Sequence, residues 1–85
     1  MLYISRCLRG NPAKYGVVDT DDCTETVITA SELGRMVQDY NLDIKGVRCE
    51  TRRVNVNGRR VPYTRVVEVK PYRGKERLRE DRIVK

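Results

Sequence analysis

Residues 47–70 read VRCETRRVNVNGRRVPYTRVVEVK, and the Asn57-Gly58 dipeptide at the centre decides how the second half of the chain folds. Both central residues of a type I′ turn need positive φ, which Asn and Gly tolerate, so Asn-Gly between strand-like runs predicts a two-residue hairpin. The predicted strands are Val47–Val56 and Arg59–Lys70. A two-residue loop sets Val56 against Arg59, and the other pairs follow. Val54 faces Val61, Arg52 faces Tyr63, Thr51 faces Thr64, Glu50 faces Arg65 and Cys49 faces Val66. These are compatible partners, with one opposite-charge pair and one Thr pair. Pro62 lacks an amide donor, which predicts an edge strand or a bulge at that position.

Upstream, Thr29 and Glu32 form a T-x-x-E capping box, the start signal of a helix. Ile28 and Leu33 occupy the positions of a hydrophobic staple. Leu33, Met36, Val37 and Tyr40 recur at helical spacing and predict one apolar face, with Arg35, Gln38 and Asp39 outward. Asn41 suits the left-handed residue that ends such a helix, with Leu42 packing back on its last turn. The helix is expected over about residues 30–40, with Leu33, Val37 and Tyr40 against the strand meander of the first third. Gly34 inside it costs ~1 kcal/mol relative to Ala, so packing must help to hold it.

The first third reads as a three-strand meander. Leu2, Ile4 and Leu8 alternate with Tyr3, Ser5 and Cys7, and Arg6 is the exception. Gly10-Asn11-Pro12 is a turn, Tyr15–Asp19 a short strand, residues 19–24 a second turn, and Glu25–Ile28 the return strand. The fold class is therefore α+β in the order β-β-β-α-β-β. Residues 1–72 form one small domain, and 73–85 (RGKERLREDRIVK) form a charged tail that is either a short helix around Lys75–Arg82 or mobile.

Charge divides the chain. Residues 1–43 hold four basic and seven acidic residues, whereas residues 44–85 hold fourteen basic and five acidic, for a total of +6. A basic half favours a polyanion or an acidic protein surface. The 85 residues include no Phe or Trp, so valines, leucines and isoleucines must supply most of the core. At about 25 cal/mol per Å² such a core leaves a thin margin over chain entropy, which makes a homodimer a further source of burial. No apolar run approaches the ~18 residues of a membrane span, and no secretory leader precedes the first strand, so a cytoplasmic product with no membrane partner is expected.

Chemistry has little to work with. Cys7, Cys23 and Cys49 are odd in number, widely spaced and unaccompanied by any His, which argues against a disulfide framework and a zinc site. The acidic run Asp19-Thr20-Asp21-Asp22-Cys23-Thr24-Glu25 lacks the Gly and the length of a calcium loop, and reads as a solvated turn. The chain lacks the usual general base, and Cys49 beside Arg48 is a thin basis for an activated thiolate. No enzyme activity, cofactor or metal is expected.

The basic hairpin is the better candidate. Arg52-Arg53 and Arg59-Arg60 bracket the turn, with Arg52 and Arg59 on one face of the ribbon and Arg53 and Arg60 on the other. Tyr63 offers an aromatic surface beside Arg52, and Arg48, Arg65, Lys70, Arg73 and Lys75 continue the positive charge, with Tyr72 among the last three. A two-stranded ribbon fits the DNA major groove, and Arg is a planar fork for phosphate or guanine. The expected partner is DNA or RNA. The rival expectation is an acidic protein surface, and the bland one is that these charges only keep an exposed ribbon soluble and block edge pairing. A nucleotide-sized anion held between subunits is a weaker third reading.

The stretch Tyr15-Gly16-Val17-Val18-Asp19-Thr20-Asp21-Asp22, then Ser31-Glu32-Leu33 and Leu42-x-Ile44-x-Gly46-Val47, resembles small uncharacterised proteins of gut Firmicutes, their phages and mobile elements. The resemblance covers about half the chain and leaves out the basic second half. It implies a bacterial or phage accessory protein acting in the bacterial cell or the infected host, and brings no activity with it. Within that setting the rival to nucleic-acid binding is an interaction or inhibitor module that docks its basic surface on an acidic partner.

Overall fold

The computed structural model describes residues 1–84. Three antiparallel strands, β1 (Leu2–Leu8), β2 (Lys14–Asp19) and β3 (Thr24–Thr29), are followed by helix α1 (Ala30–Gln38). A two-residue strand β4 (Ile44–Lys45) then leads into the long strands β5 (Val47–Val56) and β6 (Arg59–Val69). The main sheet has the order β3-β2-β1-β4, with β4 parallel to β1, and β5 pairs only with β6. The α+β order expected from the sequence is present, and β4 is an addition to it. Two residues carry no periodicity, so only the long-range pairing of Ile44 with Leu2 defines that strand.

A bulge in β1 accounts for the exception at Arg6. Ile4 pairs with Val17 and Arg6 with Gly16, which leaves Ser5 as the extra residue. One extra residue reverses which side each later side chain takes. Arg6 therefore joins Tyr3 and Ser5 on one face of the sheet, and Cys7 crosses to the other.

The opposite face holds the core. Ile4, Val17, Ile28, Leu33, Val37 and Ile44 form one buried cluster, flanked by Leu2, Tyr15, Met36, Val47, Val66 and Val69. The helix reaches this cluster because its start is fixed locally. The Thr29 hydroxyl accepts from the Glu32 amide at 3.3 Å, and the Glu32 carboxylate accepts from the Thr29 amide at 3.3 Å. Ile28 and Leu33, the two staple residues, are both buried. Replacing Thr29 with Ala removes the cap, and thermal unfolding should show a loss of about 0.5–2 kcal/mol.

Tyr40 departs from the expectation. The helix ends at Gln38, with Asp39 as its cap, and Tyr40 lies beyond it with 68% of its surface exposed. Asn41 takes the expected left-handed conformation (φ 52°), and the Leu42 amide donates to the Met36 carbonyl at 3.1 Å. The chain has left the helical path before it reaches the position that would bring Tyr40 onto the apolar face.

The C-terminal segment crosses the other face of the sheet as a strap. Tyr72 donates its amide to the Ile4 carbonyl at 2.8 Å, and its ring packs on that of Tyr3 at 5.8 Å between centroids. The Arg77 guanidinium donates to the carbonyls of Ser5 and Tyr72, both at 3.1 Å. The Leu78 amide donates to the Tyr3 hydroxyl at 2.9 Å, and the Val84 amide to the Cys23 carbonyl at 2.6 Å. The helix expected around Lys75–Arg82 is replaced by a turn and a single 3-10 turn at Glu80–Arg82. Hydrogen bonds tie this segment to the sheet at Tyr72, Arg77, Leu78 and Val84; Lys85 lies outside the described residues.

Candidate nucleic-acid interface

The β5–β6 ribbon begins in the core and ends in solvent. Its register is the one that the Asn57-Gly58 turn dictates, from Val56 opposite Arg59 down to Cys49 opposite Val66. Asn57 and Gly58 have φ of 51° and 79°, as a type I′ turn requires. Thr51 and Thr64 share a hydrogen bond at 2.9 Å, and Arg65 pairs with Glu50 at 3.7 Å.

Below Cys49 the register shifts, so that Arg48 faces Glu68 and Val47 faces Val69, with Val67 the extra residue. This second bulge matters for packing. Without it Glu68 would stand opposite Val47, on the side that meets the core; with it Val69 takes that place beside Val66. Gly46 turns the chain into this base at φ 96°, and a Cβ there would meet the Lys70 carbonyl and the Ile4 side chain. The bulge is at Val67 and not at Pro62. In a two-residue hairpin the flanking pair is hydrogen-bonded and the pairs alternate from there, which puts Arg53–Pro62 in a position without ladder bonds. Pro62 thus costs the ribbon nothing and removes one outward donor from the β6 edge.

Beyond Thr51 and Thr64 the ribbon leaves the body. Six residues from Thr51 to Val56 reach roughly 20 Å at ~3.3 Å per residue. The molecule measures 51 × 27 × 18 Å, and its radius of gyration of 14.4 Å exceeds the ~12 Å of a compact chain this long. Residues 51–64, TRRVNVNGRRVPYT, hold four arginines and no acid.

The ten basic and aromatic positions singled out from the sequence fall into two groups. Arg52, Arg53, Arg59, Arg60 and Tyr63 lie on the projecting arm, all exposed. Among the described residues no carboxylate comes within ion-pair distance of those four arginines. Tyr63 stands opposite Arg52, and Arg52, Val54, Val56, Arg59, Val61 and Tyr63 share one face. Arg53 and Arg60 lie on the other, with Thr51, Asn55, Pro62 and Thr64. Arg48, Arg65, Lys70, Arg73 and Lys75 lie at the base or on the strap. Arg65 pairs with Glu50 and Lys70 with Glu68 at 3.4 Å, and Arg48 stands opposite Glu68 in the register, whereas Arg73 and Lys75 have no carboxylate within ion-pair distance among the described residues. Tyr72, packed on Tyr3, donates its hydroxyl to Glu76 at 2.6 Å and is not a free stacking surface. That bond holds the Glu76 carboxyl below its ordinary range and pushes the Tyr72 phenol up.

A second polar cluster escaped the sequence reading. The strap and the strapped face enclose a pocket of about 260 Å³ lined by Ser5, Arg6, Glu25, Arg77, Leu78, Glu80 and Ile83. The Glu25 side chain, only 7% exposed, accepts from the Ser5 hydroxyl at 2.5 Å and from the Arg6 guanidinium at 2.6 Å. The break in alternation at Arg6 was the one available signal. The thiols of Cys7 and Cys49 are pushed up, Cys49 by burial and then by the Asp43 charge, which is the reverse of what an activated nucleophile needs. Asp19 and Asp22 accept turn hydrogen bonds from the Asp21 amide (2.9 Å) and the Thr24 hydroxyl (2.6 Å). No α-helix among the described residues is long and apolar enough to cross a membrane.

No family model matches the chain, and neither a curated protein nor a solved structure is similar to it.

Proposed function

We propose that this is a small non-enzymatic nucleic-acid-binding protein, acting in the bacterial or phage-infected cytoplasm, whose contact surface is the projecting β5–β6 arm. One observation carries this reading: four unpaired arginines and no acid on a ribbon that stands clear of the body. A guanidinium without an internal partner remains available to a phosphate, and a ribbon of two strands is narrow enough for a groove ~12 Å wide. Tyr63 beside Arg52 adds a face on which an unpaired base can stack. The base and strap cations supply a weaker, partly neutralised field behind the arm.

The exposed Val56 and Tyr63 on the same face favour a second reading, in which an acidic protein with apolar contacts takes the arm. Salt separates the two. Each phosphate neutralised releases condensed counterion, so log K falls with log salt at about −0.9 per contact on duplex and −0.7 on single strands. Roughly four to six contacts therefore predict a total slope of about −3 to −5. Binding to a random duplex and a random single strand, titrated from low to physiological salt, should show it. A flat dependence, or no binding to either at low salt, would overturn the nucleic-acid reading in favour of the protein partner.

A further inference from the structure

The arm has an open edge that is complementary to itself. Helix α1 packs against β6, and β6 carries Pro62, whereas β5 is flanked by β6 alone and is exposed from Arg48 to Arg53. The alternation set by the turn leaves the N–H and C=O groups of Thr51, Arg53 and Asn55 pointing away from β6. An edge of this kind is a template for another strand.

We propose that β5 pairs antiparallel with β5 of a second copy, about a two-fold axis at Thr51, to give a four-stranded sheet in the order β6-β5-β5-β6. Side chains choose the partner and the register. With the axis at Thr51, Glu50 of each copy stands opposite Arg52 of the other, twice over. Arg53 then stands opposite Cys49, Arg48 opposite Val54, and Asn55 opposite Val47. No like charges oppose one another anywhere along the strand.

Neighbouring registers with matched backbone groups do worse. An axis at Glu50 sets Glu50 against Glu50 and Arg48 against Arg52, and axes at Arg52 or Arg53 set that arginine against itself. An axis at Cys49 matches Arg48 with Glu50 but overlaps only residues 47–51. Like charges directly opposite destabilise a sheet, and opposite ones stabilise it. The chosen register also brings each basic tip level with Gly46 of the other copy, beside the exposed Asp43 and Leu42 of the acidic half. Such a contact is isologous and closes on itself. It leaves both faces of the arm exposed, but it widens the ribbon from two strands to four, which is too wide for a groove that admits two, so insertion of the arm into a groove and this pairing exclude one another.

Sedimentation equilibrium of nucleic-acid-free protein tests this. The wild type should be a dimer at high micromolar concentration. Glu50→Arg and Arg52→Glu should each raise the dissociation constant on the order of tenfold or more, because each puts like charges opposite at two places. The double variant Glu50→Arg/Arg52→Glu, carried together with Arg65→Glu so that position 50 keeps an opposite charge across its own hairpin, restores both pairs between copies and should restore the dimer. Thr51→Pro removes an outward amide and no ladder bond of the hairpin, and should give a folded monomer by circular dichroism. A wild type that stays monomeric, single reversals that still dimerise, or a charge-swapped variant that remains monomeric while folded would each overturn the proposal. A dimer that survives in folded Thr51→Pro would do so as well.

Discussion

Replacing Arg52, Arg53, Arg59 and Arg60 together with Ala should remove binding to polyanions while leaving the protein folded. Each arginine is exposed and lacks an acidic partner among the described residues, so its loss takes no ion pair from the fold. At up to ~1 kcal/mol per solvent-exposed charge contact, four contacts amount to about 4 kcal/mol, or roughly a thousandfold in affinity at low salt. The salt slope should fall by about one for each contact removed. A gel-shift titration of the quadruple variant reads the first effect, and unchanged binding there would exclude the arm as the interface. The triple variant Arg53→Ala/Arg59→Ala/Arg60→Ala keeps Arg52 and with it the pairing proposed between copies. If it also loses most of its affinity, the loss belongs to phosphate contact and not to dissociation of a dimer. Exposed charges elsewhere give the contrast: Arg73→Ala and Lys75→Ala on the strap should each change affinity by a few-fold at most.

Leu33→Ala should cost roughly 2–5 kcal/mol. Leu33 is 1% exposed and sits among Ile4, Val17, Ile28, Val37 and Ile44, so its truncation removes apolar contacts from the centre of the buried cluster. A domain of this size holds only about 4–13 kcal/mol in total. A loss at the upper end would therefore leave much of the protein unfolded, and one at the lower end should lower the Tm by about 10 °C or more. Thr29→Ala, which affects only the cap, should fall well short of this. Tyr40→Ala should be nearly neutral, within about 0.5 kcal/mol, because its ring lies in solvent past the end of the helix. Thermal unfolding that ranked Tyr40→Ala or Thr29→Ala above Leu33→Ala would place the helix on the wrong face.

The features legible from the residues alone are those that rest on neighbours along the chain. The capping box at Thr29 and Glu32, the positive φ at Asn41, Asn57 and Gly58, and the ribbon register that follows from the turn each depend on a few consecutive residues. The concentration of arginine at the tip was legible for the same reason, since a two-residue turn brings its flanking pairs together whatever the rest of the chain does. The other features depend on contacts between segments distant in the chain. The bulges at Ser5 and Val67 change which side chains meet the core, yet each is one residue among ordinary strand residues, selected by the faces that must be buried. The two-residue β4 exists only because β1 is beside it, and Tyr40 is exposed because the helix stops short of it. The strap was the least legible of all. RGKERLREDRIVK is charged throughout and reads as a solvated tail, but Arg77 and Leu78 are held by groups on Tyr3 and Ser5 at the other end of the chain. Hydrogen bonds across that separation form only after the sheet has presented its acceptors and donors, so no local pattern announces them.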